Sequence, residues 1–262
     1  MKLAGRTVLV TGAAGGIGHH IVSALRERQA RVLAHDADLA KLEAAPLPPD
    51  VTFVPADLRD LHACERLVER AGAIDVLVNC AGLEYVGRYE EMGRGEIDDL
   101  VRVNLLAPMM LTRFVLPGML ERRSGHVVNI ASIAGKGPTP YLTTYGATKA
   151  ALISLTLSLR AEHRGSGVSF SAVAPGFVSD EGMYARMEAT APAALGTSTP
   201  DRVAAAVVRA IEHDRAEKIV ASRPMRPLFV LNQISPRIGE LGISASGAKR
   251  FLRKVGERRG RA

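Results

Sequence analysis

Seven short runs of β-branched and aliphatic residues, separated by longer stretches with helical spacing, restrict the folds open to this chain. The strand-like runs are 7–10, 31–35, 51–54, 75–79, 126–130, 168–174 and 218–221, and the helical stretches include 16–29, 61–71, 95–122 and 144–163. Strands that are apolar throughout are typical of a parallel sheet that helices cover on both faces. With right-handed crossovers, the pattern predicts an α/β fold of three layers, a doubly wound parallel sheet of the Rossmann type with about seven strands.

A glycine-rich segment, Thr11-Gly-Ala-Ala-Gly-Gly-Ile-Gly18, joins the first predicted strand to the first predicted helix. Glycines at such a junction permit a tight turn and the close approach of a pyrophosphate, while the helix N-terminus presents free N–H groups to the anion. Asp36 follows Gly18 by eighteen positions, at the end of the second strand. This combination predicts a nucleotide site. Its expected loop contacts are Gly12, Ala14, Gly15, Gly16, Ile17 and Gly18.

Asp36 is expected to accept hydrogen bonds from the adenosine ribose hydroxyls. A carboxylate there repels a 2′-phosphate, so NAD(H) is favoured over NADP(H). His19 stands after Gly18, where an arginine would help to bind such a phosphate. Asp57 and Leu58 follow the third strand and are expected at the adenine edge. Two alternatives stay open, because Asp36 also suits a surface turn and Asp57 also suits a helix N-cap.

Tyr145 and Lys149 lie four residues apart in Tyr145-Gly-Ala-Thr-Lys149. On a helix the two side chains share one face, so the ammonium can approach the phenol and lower its pKa from about 10. The pair is therefore predicted to transfer protons. Ser132 lies thirteen residues upstream of Tyr145, and a serine hydroxyl beside the phenol can stabilise a developing alkoxide. Taken singly, Ser132 also suits a helix cap, Asn104 a hydrogen bond within its helix, and Tyr145 a packed aromatic.

The order and spacing of these elements matter more than any one of them. The glycine segment, Asn79-Cys-Ala-Gly82, Asn104, Ser132, the Tyr145/Lys149 pair and Pro175-Gly176 resemble, over about residues 5–222, the short-chain dehydrogenase/reductase family. The resemblance implies a single-domain NAD(P)-dependent oxidoreductase that moves a hydride between the nicotinamide and an alcohol or ketone.

The same resemblance implies a role for each matching residue. Tyr145 exchanges the proton with the substrate, Lys149 holds the nicotinamide ribose and lowers the pKa of Tyr145, and Ser132 orients the substrate oxygen. Asn104 anchors a water that connects Lys149 to solvent. Further cofactor contacts are implied for Asn79, Ala81, Gly82, Tyr145, Lys149, Pro175, Gly176 and Val178. Pairing through the helices of Asn104 and Tyr145 implies a homodimer or homotetramer.

Two positions depart from the family pattern. Cys80 stands where a second asparagine is usual, and a small thiol there is expected to change strand packing and not chemistry. Asp180 stands where a threonine often binds the nicotinamide carboxamide. That contact is therefore expected from Ser179 or from the backbone of Val178.

The substrate is expected to contact an irregular segment, residues 176–199, which we interpret as a lid. The residues predicted near the substrate are Ala134, Tyr141, Leu142, Met183, Tyr184, Met187 and Phe229. Methionines with few charged neighbours favour an apolar secondary alcohol or ketone of steroid, retinoid or fatty-acyl type. The same residues would also suit the core of the lid.

Residues 223–262 form a basic helical extension of the 1–222 domain, with helices predicted at 228–233 and from Ser235-Pro236 onward. The net charge of +7 resides mainly in the tail from residue 247, which has seven Lys or Arg and one Glu. A nucleic-acid-binding face across the fold is therefore not supported. The final helix, with an apolar stripe of Phe251, Leu252 and Val255, suits a cap over the substrate or a dimer contact. Docking on an anionic membrane and a disordered tail are the alternatives.

Composition bounds the remaining possibilities. No apolar run approaches the roughly eighteen residues of a membrane span, and the two cysteines, Cys64 and Cys80, have no metal or redox spacing. We therefore expect a cytoplasmic protein without a metal. A non-catalytic nucleotide-binding or regulatory protein on this fold and a membrane-surface lipid reductase remain the alternative functions.

Overall fold

Seven parallel strands form one sheet in the computed structural model, which describes residues 1–179, 192, 196–222 and 224–259. The strands are β1 (Thr7–Thr11), β2 (Arg31–His35), β3 (Thr52–Phe53), β4 (Val76–Asn79), β5 (Gly125–Ile130), β6 (Val168–Pro175) and β7 (Glu217–Val220). Their spatial order is β3-β2-β1-β4-β5-β6-β7, and every neighbouring pair is parallel. The predicted doubly wound sheet is confirmed, and the predicted strand ends differ from the observed ones by at most one residue.

Helices cover both faces of this sheet. In chain order they are α1 (Gly18–Glu27), α2 (Leu39–Ala44), α3 (Leu61–Ala71), α4 (Arg94–Val101), α5 (Ala107–Glu121), α6 (Thr143–Glu162) and α7 (Pro200–Glu212). Helices α1 and α7 pack on one core, and α3 and α5 pack on the core of the opposite face. The predicted helices did not include α2 or α7. The start of α7 is nevertheless marked in the sequence, since Thr199 caps it and Pro200 occupies its first turn.

The predicted helix over 95–122 is interrupted. Helix α4 passes into α5 through a π-helical turn, Arg102–Leu106, which contains Asn104. The whole run from Arg94 to Glu121 has 28 residues and, by length and composition alone, could cross a membrane, although we expected no apolar run of that kind. Its Leu111 and Met119 are fully buried under the sheet. This packing is that of a core helix.

Three further helices follow β7 in the part of the chain that the structure describes: α8 (Arg226–Ile234), α9 (Pro236–Ala245) and α10 (Ala248–Arg259). Ser235 precedes α9 as predicted, but its side chain makes no capping hydrogen bond. The apolar stripe of α10, Phe251, Leu252 and Val255, is buried against Val86 and Leu142. The interpretation of that stripe as a membrane contact is therefore wrong, because the body of the protein already covers it.

Close backbone and side-chain contacts hold this extension to the rest of the fold. Asn232 Nδ2 donates to the Lys136 carbonyl oxygen at 3.2 Å. A Cβ on Gly256 would lie 2.9 Å from the Cα of Gly87, so α10 approaches the segment after β4 closely. The extension therefore packs as a cap beside Tyr145, as one of the sequence interpretations predicted.

Candidate active site

The glycine turn brings the N-terminus of α1 to the edge of the sheet. Gly12 has a φ of +67°, and a Cβ there would lie 2.7 Å from the Cα of Ala81. A Cβ on Gly18 would lie 2.0 Å from the Gly12 carbonyl oxygen, so both positions need glycine for close backbone packing. No side chain caps α1, and its first turn has no acidic residue. Its N–H groups are thus suited to an anion.

Thr11 holds the ends of β1 and β4 together beneath this turn. Its hydroxyl oxygen accepts hydrogen bonds from the backbone N–H groups of Cys80, at 3.0 Å, and Ala81, at 3.1 Å. The strand order reverses between β1 and β4, and in doubly wound sheets ligands bind at this switch point. The predicted nucleotide loop therefore lies where the topology opens a crevice.

The acidic residues after β2 and β3 lie at one end of the cavity. Asp36 Oδ1 accepts the Ala37 N–H at 2.9 Å, and its side chain lines the cavity beside Asp57. The Arg59 side chain donates to both carboxylate oxygens of Asp57, at 2.7–3.1 Å, and this hydrogen bonding lowers the pKa of Asp57. Asp57 is not a helix cap, because Asp60 caps α3.

Sequence reasoning missed two residues at this end of the cavity, Arg59 and His35. Arg59 could have been noticed from its position two residues after Asp57. His35 is buried, and its Nε2 donates to the Ala56 carbonyl oxygen at 2.9 Å. Burial lowers the pKa of His35, so the imidazole is neutral and serves to hold the end of β3 beside β2.

Ser132, Tyr145 and Lys149 meet at the ends of β5 and α6. The Lys149 Nζ lies 5.6 Å from the centroid of the Tyr145 ring and donates to the Ile130 carbonyl oxygen at 2.8 Å. Ser132 Oγ accepts the Ala134 N–H at 3.1 Å, so this serine also caps a short 3-10 turn. The three residues line one cavity, and the packing therefore brings together the predicted catalytic group.

The pKa values at this site differ from the expectation. Burial raises the pKa of Tyr145 to about 12, and the hydrogen bond with Ser132 opposes that rise. Burial also lowers the pKa of Lys149 to about 8. The prediction that Lys149 brings the phenol below its ordinary pKa of about 10 is not met by these residues alone, because desolvation of the ring outweighs the hydrogen bond with Ser132.

Asn104 lies in the π-helical turn and points at the loop after β4. Its Oδ1 accepts the Leu83 N–H at 2.8 Å, and its Nδ2 donates to the Leu83 carbonyl oxygen at 2.9 Å. The same Nδ2 lies 3.4 Å from the hydroxyl oxygen of Thr148 on α6. Asn104 thus connects the loop after Gly82 to the helix that contains Tyr145. π-Helical turns are frequent at functional sites, and this one positions the Asn104 side chain.

A single cavity of about 500 Å³ connects these parts. The predicted residues that line it are Gly12, Gly15, Gly16, Ile17, Gly18, Asp36, Asp57, Leu58, Ala81, Gly82, Ser132, Tyr145, Lys149, Pro175, Gly176 and Val178. Three other predicted residues lie behind its wall. Ala14 packs on the core under α1, Asn79 Nδ2 donates to Asn129 Oδ1 at 2.8 Å inside the sheet, and Asn104 contacts Leu83.

The far end of the cavity is apolar. Ala134, Leu142 and Phe229 line it as predicted, whereas Tyr141 packs in the cluster against α10. Leu252 of the α10 stripe also lines this end, as the interpretation of that helix as a cap over the substrate predicted. Sequence reasoning did not find Met225 and Ile243, which α8 and α9 place around the same space. No local pattern in the sequence marks these residues as neighbours of Tyr145. Met183, Tyr184, Met187 and Asp180, together with most of the predicted lid, lie outside the described residues.

The two cysteines are thiols in this environment. Burial raises the pKa of Cys64 to about 11 and that of Cys80 to about 12. Cys80 lines the cavity directly after β4, where its backbone N–H donates to the Thr11 hydroxyl oxygen. A protonated thiol does not act as a nucleophile at neutral pH. Within the described ranges, no three His, Cys, Asp or Glu side chains gather as metal ligands would.

Comparison with known proteins gives four consistent matches. The model of the short chain dehydrogenase family matches residues 6–191. The ketoacyl reductase HetN of Nostoc sp. is 40% identical over 252 residues, which cover 89% of this chain and 86% of HetN. A solved short chain dehydrogenase/reductase family protein superposes with a TM-score of 0.78 at 30% identity, covering 84% of this chain and 97% of its own. A structure described as an NAD(P) dependent gluconate 5-dehydrogenase from Beutenbergia cavernae, with NADP bound at low occupancy, has a TM-score of 0.73 at 30% identity and covers 84% of this chain and 95% of its own.

Proposed function

This chain belongs to the short-chain dehydrogenase family, and from that membership we propose that it is an NAD-linked oxidoreductase for an apolar secondary alcohol and its ketone. The family makes it an NAD(P)-binding oxidoreductase. The choice of NAD and the apolar substrate are our proposal. Its main support is the continuity of one cavity from the glycine turn, past Ser132 and Tyr145, to apolar side chains of the last three helices.

The residues at the glycine turn fit a dinucleotide. The uncapped N-terminus of α1 would hold the pyrophosphate, Asp36 would accept from the adenosine ribose, and Lys149 would hold the second ribose. When bound, the nicotinamide supplies or accepts the hydride. The cavity walls thus provide a carboxylate, an anion site and an ammonium, which match the adenosine ribose, the pyrophosphate and the second ribose of a dinucleotide.

The charges at the adenosine end support NAD over NADP. Asp36 and Asp57 both face the cavity there, and a 2′-phosphate would add negative charge beside them. Arg59 is the nearby cation, but its guanidinium donates to Asp57 and lies 3.5 Å from a carboxylate oxygen of Asp99. An arginine committed to two carboxylates would have to break those contacts to bind a phosphate. Because the related gluconate 5-dehydrogenase structure contains NADP, the preference of this chain for NAD has to be measured.

We infer that the three catalytic residues divide the handling of one proton. With a pKa of about 12, the Tyr145 phenol is protonated at neutral pH and is ready to donate to a carbonyl oxygen. The Ser132 hydroxyl would donate to the same oxygen as negative charge develops on it. The Lys149 ammonium favours the phenolate that remains. These residues therefore suit ketone reduction first, which is also the reaction named for HetN.

The apolar end of the cavity supports a substrate with a hydrocarbon body. Leu142, Met225, Phe229 and Leu252 line this end and give a hydrocarbon chain or ring a surface from which water is excluded. Methionine and leucine side chains adapt to different shapes. Steroid, retinoid and fatty-acyl ketones all satisfy this description, and a β-ketoacyl chain has the added support of the ketoacyl reductase relative.

The proposal is tested by a screen of ketones and secondary alcohols with increasing hydrocarbon length, followed by the absorbance of the reduced nicotinamide with NAD(H) and with NADP(H). We expect kcat/KM to rise with hydrocarbon length and to be higher with NAD(H). Binding of NAD without turnover of any compound would instead favour a non-catalytic nucleotide-binding protein.

Tyr145→Phe should lower kcat by about a thousandfold, because it removes the proton donor, while NAD affinity changes little. Tyr89→Phe is the matched control, since Tyr89 is 58% exposed in a 3-10 turn away from the cavity. Binding is measured by titration calorimetry and turnover by nicotinamide absorbance. A Tyr145→Phe enzyme with more than a tenth of the wild-type rate would contradict the assigned role.

Two further properties are proposed on separate grounds. A dimer through α5 and α6 is supported by Met109 and Leu157, large apolar side chains that are each 40% exposed on those helices. Light scattering of the wild type and of Leu157→Asp measures that state. A reducing, cytoplasmic location remains our expectation, in keeping with two cysteines that form no disulfide.

A further inference from the structure

The outward sides of α8 and α9 carry exposed aliphatic side chains. Val230 is 59% exposed, Leu231 45%, Ile234 74% and Leu241 71%. These four residues, which we call the outer face, lie within twelve positions of each other. Scattered exposed leucines are ordinary, but a concentrated apolar group on two adjacent helices marks a surface that another apolar medium covers.

The inward sides of the same helices are already used. Phe229 of α8 and Ile243 of α9 line the cavity, and Asn232 bonds to the loop at Lys136. Helix α8 therefore has apolar side chains toward the cavity and also toward the outside. A helix that is apolar on opposite sides is typical of a buried helix. The outer face thus lacks a covering layer within the part of the chain that the structure describes.

The segment of the sequence that contains this face is rich in basic residues. Residues 223–262 contain ten Lys or Arg and two Glu, a net +8, whereas the whole chain has a net +7 and residues 1–222 therefore a net −1. Arg226 precedes Val230 by four residues and Ile234 by eight, so the three share one side of α8. Arg237 precedes Leu241 by four residues in the same way on α9. All of these side chains are exposed.

Helix α10 extends the basic surface. Its Phe251, Leu252 and Val255 are buried, which leaves Lys249, Arg250, Arg253 and Lys254 exposed on the other side. Lys249 shares a surface depression with Glu240 and Ser244 of α9, so the basic side of α10 borders α9. Exposed aliphatic residues bordered by exposed basic residues suit a surface that lies in a membrane interface, where the aliphatic residues enter the apolar boundary and the basic ones reach the headgroups.

We propose that the outer face docks on a lipid bilayer that contains anionic lipids. The aliphatic residues would enter the boundary of the acyl chains, while the arginines and lysines contact the negative headgroups. A second copy of the chain is a poorer partner, since a two-fold contact through this face would bring two surfaces of net positive charge together.

The docking differs from the one that the sequence suggested. The stripe of α10 is buried, and the lipid-facing residues are those of α8 and α9. Because the opposite sides of α8 and α9 line the cavity, docking would place the cavity wall next to the bilayer. Delivery of an apolar substrate from the lipid would follow, and this last consequence alone rests on the proposed function.

The test is co-sedimentation of the full chain with vesicles of phosphatidylcholine, with and without phosphatidylglycerol. We expect binding only to the anionic vesicles, and a marked loss between about 50 mM and about 500 mM salt, since screening shortens the range of the attraction. Turnover without vesicles is measured in parallel, so failure of docking and failure of the proposed function are distinguishable.

Two sets of variants separate the apolar and the charged contributions. Ile234→Asp and Leu241→Asp should each lower the partition coefficient at least about tenfold, as expected for one large aliphatic side chain kept in water. Leu39→Asp is the matched control, because Leu39 is 45% exposed on α2, and it should bind like the wild type. Arg250→Glu with Lys254→Glu should lower binding about fivefold or more per charge.

Three results would overturn the proposal. The first is equal partitioning of the wild type with neutral and anionic vesicles. The second is unchanged vesicle binding of the Ile234→Asp/Leu241→Asp variant. The third is a change in the oligomeric state of that variant, measured by light scattering, when no vesicle binding is found. The last result would assign the outer face to a second copy. If circular dichroism shows that an aspartate variant does not fold, the test uses the variant with Arg250→Glu and Lys254→Glu on the exposed side of α10. Unchanged vesicle binding of that variant would also contradict docking.

Discussion

Replacing Lys149 by methionine should make the stability of this protein respond differently to pH. Lys149 is 3% exposed, and burial lowers its pKa from 10.5 in the unfolded chain to about 8 in the fold. A base with a depressed folded pKa destabilises the fold fully below that pKa, and the cost declines as pH rises toward 10.5. The shift corresponds to a cost of about 3 kcal/mol at pH 7, which falls to about 1 kcal/mol near pH 9.5.

The Lys149→Met side chain has no such cost at either pH. It also loses the hydrogen bond to the Ile130 carbonyl oxygen, but any difference between the ammonium and amine forms of that bond is already contained in the folded pKa. The free energy of unfolding of the variant minus that of the wild type should therefore decrease by about 2 kcal/mol between pH 7 and pH 9.5.

Urea unfolding without nucleotide measures this difference. Lys218→Met, which removes an exposed lysine of β7, is the control for loss of one ammonium group. If the Lys149→Met difference is the same at both pH values, within about 0.5 kcal/mol, the reasoning is refuted, because the buried ammonium would then cost nothing.

Three further variants test other parts of the site. Asp36→Ala should reduce the ratio of kcat/KM with NAD to kcat/KM with NADP by about ten- to a hundredfold, because it removes a negative charge beside the 2′-phosphate. An unchanged ratio would mean that Asp36 does not contact the adenosine ribose. Gly18→Ala should abolish measurable NAD binding in calorimetry, because its Cβ would lie 2.0 Å from the Gly12 carbonyl oxygen. Gly95→Ala is the control: no atom lies within 4 Å of the added Cβ, and the free energy of unfolding should rise by about 0.5–1 kcal/mol. Leu252→Ala should lower the free energy of unfolding in urea by about 2–4 kcal/mol, because Leu252 is 1% exposed. It should also raise kcat/KM for bulkier ketones, because Leu252 lines the cavity. A loss of stability without any change in substrate range would mean that Leu252 serves in packing alone.

The fold was largely predictable because its determinants are local. Each apolar run forms a strand whose ends lie within one residue of the predicted ones, since a strand buried on both faces needs little beyond β-branched and aliphatic side chains. The π-helical turn at Asn104 was not predictable, as its residues have an ordinary helical pattern. Helix α2 has only six residues, too few for a clear periodicity.

The candidate site was predictable to a different degree at its two ends. Around the glycine turn and Tyr145, residue type and spacing carry the chemistry, and the packing places Gly12, Asp36, Ser132 and Lys149 on one cavity. At the substrate end, contacts such as Leu252 with Leu142 join segments more than a hundred residues apart. Such contacts have no signature in the local sequence.

Residue order alone therefore established the parallel sheet, the nucleotide turn and the Tyr145/Lys149 pair, because backbone geometry and helical spacing act over a few residues. The packing of distant segments established the rest. It decided that the phenol of Tyr145 has a raised pKa, since desolvation depends on every element around the ring. It also decided that the stripe of α10 covers the cavity while Ile234 and Leu241 stay outside, because an apolar pattern specifies that a side chain will be covered and leaves open what covers it.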